Sequence, residues 1–128
     1  MPILKDFRKQ IEITLPITKG KVWIYDTLLA KDSLEIDKIY VSETSVSSED
    51  AQTAGKKISI RASKYYEAMD ETLRAMVAKW DFTADDGSEL PPTIENIKKL
   101  PKKDFDYLQS EINKKIQGEV LTPEVKKN

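Results

Sequence analysis

Neither cysteine nor histidine occurs among the 128 residues. Without Cys there is no disulfide framework and no thiolate site, and without His the commonest general base and zinc ligand is missing. Glycine is scarce: Gly20, Gly55, Gly87 and Gly118 lie so far apart that neither G-x-G-x-x-G nor G-x-x-x-x-G-K-[ST] can be written, which removes the familiar phosphate cradles. No S-x-x-K or G-x-S-x-G occurs either, so nucleophilic catalysis would need an unrecognised Lys or Tyr. No apolar run approaches the length of a membrane span, and the first ten residues carry Lys5, Asp6, Arg8 and Lys9 where a signal peptide needs an apolar stretch. An intracellular, soluble chain is the expectation. Charge of one sign is also lacking: 21 basic side chains face 22 acidic ones, interleaved, for a net charge of -1. The counterion-release term that dominates nucleic-acid affinity is therefore absent, and nucleic acid is not an expected partner.

What is present is 39% hydrophobic residue content, enough for the core of one domain. Ile11, Ile13 and Leu15 alternate with Glu12 and Thr14, and Val22 and Ile24 alternate with Trp23 and Tyr25 around Thr18-Lys19-Gly20. Period-two alternation of β-branched and aromatic residues, punctuated by Gly, predicts a β-hairpin. Pro16 cannot donate to a ladder and should end the first strand or sit on an edge. At Asp32-Ser33-Leu34-Glu35 an acceptor side chain is followed three residues later by Glu, close to a capping box. The residues behind it, Leu34, Ile36, Ile39, Tyr40 and Val41, suit a strand as well, but the cap favours a short helix.

Residues 42–57 offer only Val46, Ala51 and Ala54 as apolar groups, too little to offset the entropy of ordering the backbone, so a mobile loop is expected there. From Ala62 to Trp80 the apolar positions Tyr66, Met69, Leu73, Met76, Val77 and Trp80 recur at steps of three and four. That spacing predicts one amphipathic helix about 28 Å long. Asp86-Gly87 marks a turn, Pro91-Pro92 blocks helix, and Thr93 is placed to cap a short helix carrying Ile94, Ile97 and Leu100. Pro101 separates it from a last helix, about Lys102 to Gln117, with Phe105, Leu108, Ile112 and Ile116 on one side and Gly118 as its stop. The expected class is α+β: an N-terminal β-hairpin followed by a mostly helical domain with a long amphipathic helix and two shorter C-terminal helices. Residues 1–128 read as one domain, made of hairpin plus short helix (1–41), mobile loop (42–57), helical part (58–118) and frayed tail (119–128).

The acidic cluster Asp81, Asp85, Asp86 and Glu89 is the first candidate for chemistry. Setting Gly87 at the sixth position of a calcium loop puts Phe82 and Ala84 at ligand positions one and three and Thr93 at twelve, so the loop fails. A solvated turn is the simpler reading. The pairs Lys98-Lys99, Lys102-Lys103 and Lys114-Lys115 are mixed with Asp104, Asp106 and Glu111 and read as wet helix faces.

Apolar surface remains. Trp80, Trp23, Met69, Met76, Tyr65 and Tyr66 are the residue types that anchor interfaces, although such a stripe at helical spacing is more often core. Tyr65 and Tyr66 point about 100° apart on a helix, so both cannot lie at the centre of one stripe.

Residues Val77 to Leu108, VAKWDFTADDGSELPPTIENIKKLPKKDFDYL, resemble a stretch found in tail assembly chaperones of long-tailed, siphovirus-type bacteriophages and prophages. The likeness lies in a helix ending at Trp80, the turn Asp86-Gly87, Leu90-Pro91, then Thr93, Glu95, Ile97 and Leu100-Pro101, leading to Asp104 and Leu108. A fainter likeness lies at Leu15-Pro16, Gly20, Val22, Ile24-Tyr25-Asp26, Leu28 and Asp32. The resemblance implies a small α+β, mostly helical protein of the host cytoplasm that self-associates along the hydrophobic tape measure protein. It would keep that partner soluble until tail tube protein replaces it. No enzymatic activity, cofactor, metal, nucleic acid or membrane is implied. The motif assigns no contact residues. The face expected to meet such a partner is the outward part of the long helix, drawn from Tyr65, Tyr66, Met69, Leu73, Met76 and Trp80, with the mobile segment assisting. Two rival readings are a structural tail or connector protein retained in the virion, and a small enzyme built on a Lys, Tyr or carboxylate.

Overall fold

The computed structural model describes residues 3–44, 54–117 and 119, with side chains omitted for 42–44 and 54–63. The chain is α+β, with elements in the order β1 (Gln10–Thr14), β2 (Lys21–Tyr25), α1 (Ala30–Thr44), α2 (Ala54–Met76), β3 (Val77–Trp80), α3 (Ile94–Ile97) and α4 (Lys102–Ile116). Its contacts group into two compact units: residues 1–27 with 76–116, and residues 28–75 with 117–128.

The first unit is built on an antiparallel sheet in the order β1-β2-β3. The predicted hairpin forms with Ile11 opposite Ile24 and Ile13 opposite Val22, so the β-branched residues share one face. Ile13, Leu15, Val22 and Ile24 are all buried, whereas Gln10, Glu12, Thr14 and Lys21 on the alternate positions are exposed. Helix α4 packs on β2 and places Leu108, Ile112 and Ile116 in the core at steps of four. Burying such Leu and Ile side chains stabilises the unit by about 1.5–3 kcal/mol each. The remaining position of that row, one turn before Leu108, is held by Asp104, also fully buried.

Asp104 is tolerated because its carboxylate is fully occupied. It accepts the Ile17 N–H at 2.7 Å and the Thr18 N–H at 3.0 Å, two donors of the β1–β2 turn. Burial pushes this carboxyl up, but the hydrogen bonds from Ile17 and Thr18 and the nearby Lys19 charge outweigh it and hold it below the usual carboxylate range. Lys19 adopts φ 64°, the left-handed region, to close the turn from Leu15 to Gly20. Gly20 is required by a close approach: a Cβ there would overlap the Phe82 ring. Phe82 in turn meets Trp80 edge to face, ring centres 4.9 Å apart, and the Trp80 indole N–H donates to the Leu90 carbonyl.

The helix expected to reach Trp80 stops at Met76, and Val77–Trp80 forms β3 instead, with Val22 opposite Trp80 and an irregularity between Trp23 and Ile24. Apolar residues at 76, 77 and 80 fit either period, and tertiary pairing chose the strand because β2 otherwise lacks a neighbour on that side. The Asp86-Gly87 turn forms as a solvated loop: Gly87 takes φ 83°, and the Ser88 N–H and hydroxyl both donate to Asp86 Oδ1, lowering that carboxyl. Thr93 caps α3 as predicted, its Oγ1 accepting the Asn96 N–H at 3.2 Å.

In the second unit, α1 begins at Ala30, before the expected cap. The Leu29 carbonyl accepts from the N–H groups of Asp32 and Ser33, so Asp32 lies inside the first turn, buried, where its charge complements the positive helix end. Arg74 of α2 lies 3.5 Å from Asp32 and also bonds Glu71; these carboxylates, Glu71 first, raise the guanidinium pKa. Of the loop expected at 42–57, residues 42–44 belong to α1 and 54–57 to α2, while 45–53 lie outside the described residues. Once Ile58 onward is helical, adding a further residue such as Lys57 or Ala54 costs little, because propagation is cheaper than nucleation. Of the tail expected to fray, Glu119 is tied to α1, accepting the Leu28 N–H through Oε2 and the Ser33 hydroxyl through its carbonyl. Residues 120–128 lie outside the described residues. Among the described residues, no helix is long and apolar enough to cross a membrane.

Candidate functional site

The six residues expected to form a partner-binding stripe are divided between the two units. Tyr65, Tyr66, Met69 and Leu73 belong to the second, Met76 and Trp80 to the first. Leu73 and Met76 are 1% and 0% exposed and Trp80 is buried in β3, so these three serve the core. Their apolar spacing is explained by packing, as such a stripe usually is. Met69 is half-buried.

Tyr65 and Tyr66 behave differently. Both are exposed, Tyr66 the more so at 58%. Their Cα–Cβ directions diverge, yet the rings turn toward each other and meet edge to face with centres 5.5 Å apart. Met69 follows at i+4 from Tyr65 and i+3 from Tyr66, so the three form one apolar patch on α2. It is rimmed by Lys64 paired with Glu67, at 3.4 Å, and by Glu71 paired with Arg74. An aromatic pair already in contact loses little side-chain entropy when a partner covers it.

Other exposed apolar side chains were missed by periodicity. On α1, Leu34 and Val41 are seven residues apart and therefore share a face, both more than half exposed. In the first unit Ile3, Leu4 and Phe7 precede β1, and Ile17 sits in the turn; all four are exposed. The signal in the sequence was apolar residues between charges with no period of either kind. Trp23, the remaining interface type, lies on the outer sheet face with the Lys79 ammonium 4.9 Å from its ring centre, and Arg8 stacks over Tyr25 at 3.6 Å. Both rings are thus covered by a cation and half-buried.

Most of the residues that carry the resemblance lie in the first unit and have structural roles there, while Leu28 and Asp32 fall in the second. Leu15 and Leu108 are core, Gly20 makes room for Phe82, Trp80 bonds Leu90, Thr93 caps α3 and Asp104 holds the hairpin turn. Among the described residues, no three His, Cys, Asp or Glu side chains converge to hold a metal ion. The Tyr65–Tyr66 pair is the best-defined exposed apolar element of the described surface. No protein-family model, curated protein or solved structure matches the chain.

Proposed function

We propose that this chain is a tail assembly chaperone that binds and solubilises a tape measure protein during phage tail assembly, in the host cytoplasm. The observation that carries this reading is the stretch Val77 to Leu108 and its family-like order of turn, caps and core residues. The exposed Tyr65–Tyr66 pair supports it. A long apolar helical partner aggregates unless its surface is covered, and the covering must later yield to the tail tube protein. Weak, exchangeable apolar contacts suit that task better than a deep pocket or a charged groove. The work is equilibrium binding without catalysis, so neither cofactor nor metal enters.

Co-expression with a candidate tape measure protein tests the reading. The partner should stay in the soluble fraction and co-purify, and Tyr65→Ser with Tyr66→Ser should weaken that capture while leaving melting unchanged. Unchanged partner solubility refutes the function. Finding the chain at fixed stoichiometry in purified virions would favour a structural tail or connector protein instead.

A further inference from the structure

Among the described residues, nothing covers the outer edge of β1. Leu15 N–H donates to the Gly20 carbonyl and Asp26 N–H to the Lys9 carbonyl, so the odd-numbered residues of β1 use their backbone groups toward β2. Gln10, Glu12 and Thr14 therefore point theirs away from the sheet, and among the described residues no group meets them. The opposite edge, β3, is only four residues long and its pairing is irregular at Trp23/Ile24, two features that blunt an edge. β1 has neither a bulge nor an internal Pro. Its free length is bounded by Pro16 on one side and, on the other, by Asp6, whose carboxylate takes the Arg8 N–H at 3.0 Å.

We propose that β1 pairs antiparallel with β1 of a second copy of this chain about a twofold axis at Ile11, joining the two sheets into one of six strands. Three alignments overlap two or more outward residues of each copy. Centring on Glu12 sets that carboxylate directly against itself, which is unfavourable. Centring on Ile13 pairs that residue, already buried in one chain, with its own copy and sets Gln10 against Pro16, which has no N–H to give. Centring on Ile11 sets Gln10 opposite Glu12 in both halves and places Ile11, only half-buried in one chain, against its own copy. It also brings Arg8 of the second copy, its guanidinium held by Asp6 and stacked on Tyr25, diagonal to Glu12 on the same face. Continued beyond β1, this alignment sets the exposed Phe7 opposite Leu15 and runs the exposed Ile3 and Leu4 alongside the Pro16–Lys19 turn of the other chain, where Ile17 is 53% exposed. In this register the exposed apolar side chains at both ends of the edge lie beside the other chain. The dimer follows from the edge strand alone and is independent of the chaperone reading.

Sedimentation of the full chain across concentration should show a monomer–dimer equilibrium between 14.6 kDa and twice that mass. Glu12→Pro removes an outward N–H while leaving the β1–β2 bonds intact, a substitution edge strands tolerate. It should raise the dimer dissociation constant at least about tenfold, because the axis repeats the loss, with melting little changed. The absence of native Cys allows a second, independent measurement. Ile11→Cys should cross-link two chains on oxidation, since non-hydrogen-bonded neighbours on an axis lie within disulfide reach, whereas Ile13→Cys should not. A chain that sediments as a monomer at every concentration overturns the dimer. So does self-association that Glu12→Pro leaves intact, or cross-linking through position 13 in place of position 11.

Discussion

Replacing Asp104 by Asn tests the physical account of the first unit most directly. The carboxylate is fully buried in the apolar row of α4 and takes two turn amides, at 2.7 and 3.0 Å. Asn offers one oxygen and sets its own N–H groups against the second donor. Hydrogen bonds to a charged group are worth about 1.5–3 kcal/mol, and Asn keeps at most one neutral bond, so the loss should be about 2–4 kcal/mol near neutral pH. For a chain of this size that corresponds to a fall in Tm of roughly 6–20 °C. The pH dependence follows from the lowered folded-state pKa. The carboxylate's contribution is fully present above the unfolded value of about 3.9 and is lost as pH falls through the still lower folded value. The gap between wild type and Asp104→Asn should therefore be constant from pH 7 down to about pH 5 and close progressively below about pH 4. Thermal unfolding followed by circular dichroism across that range is the assay. A variant that melts within about 2 °C of wild type at pH 7, or a gap that persists unchanged at pH 3, refutes the account.

Three further outcomes are expected. Gly20→Ala drives a methyl into the Phe82 ring and should cost about 1–3 kcal/mol by chemical denaturation, part of which Phe82→Leu in the same chain should restore. Thr93→Ala removes the acceptor for the Asn96 N–H and should cost about 1 kcal/mol by the same measurement. Leu73→Ala should cost about 2–5 kcal/mol, whereas Tyr66→Ala on the same helix should change stability by less than about 0.5 kcal/mol, a contrast that separates core from surface along α2.

Legibility in the sequence varied with the kind of signal. The hairpin, the Asp86-Gly87 turn, the Thr93 cap and α4 were readable because each rests on local chemistry: alternation, a left-handed glycine, an acceptor side chain, a four-residue step. The end of α2 was not readable, since the apolar residues at 76, 77 and 80 satisfy two periods and the choice lay with a distant strand. The candidate patch was read in part. Tyr65 and Tyr66 are surface, but Leu73, Met76 and Trp80 looked the same in one dimension, because apolar spacing says that a face is covered and not by what.

The amino-acid order alone determined the class of the protein: 21 basic side chains balanced by 22 acidic ones, one hairpin and a set of amphipathic helices. These follow from composition and from periods that each element satisfies by itself. Tertiary structure decided what depends on residues far apart. It made a strand of Val77–Trp80, because β2 had backbone groups to pair. It made a keystone of Asp104, a charge that reads as solvent-facing until two amides from residues 17 and 18 are brought to it. And it left Gln10, Glu12 and Thr14 facing outward, because hydrogen-bond parity is assigned only when a partner strand arrives.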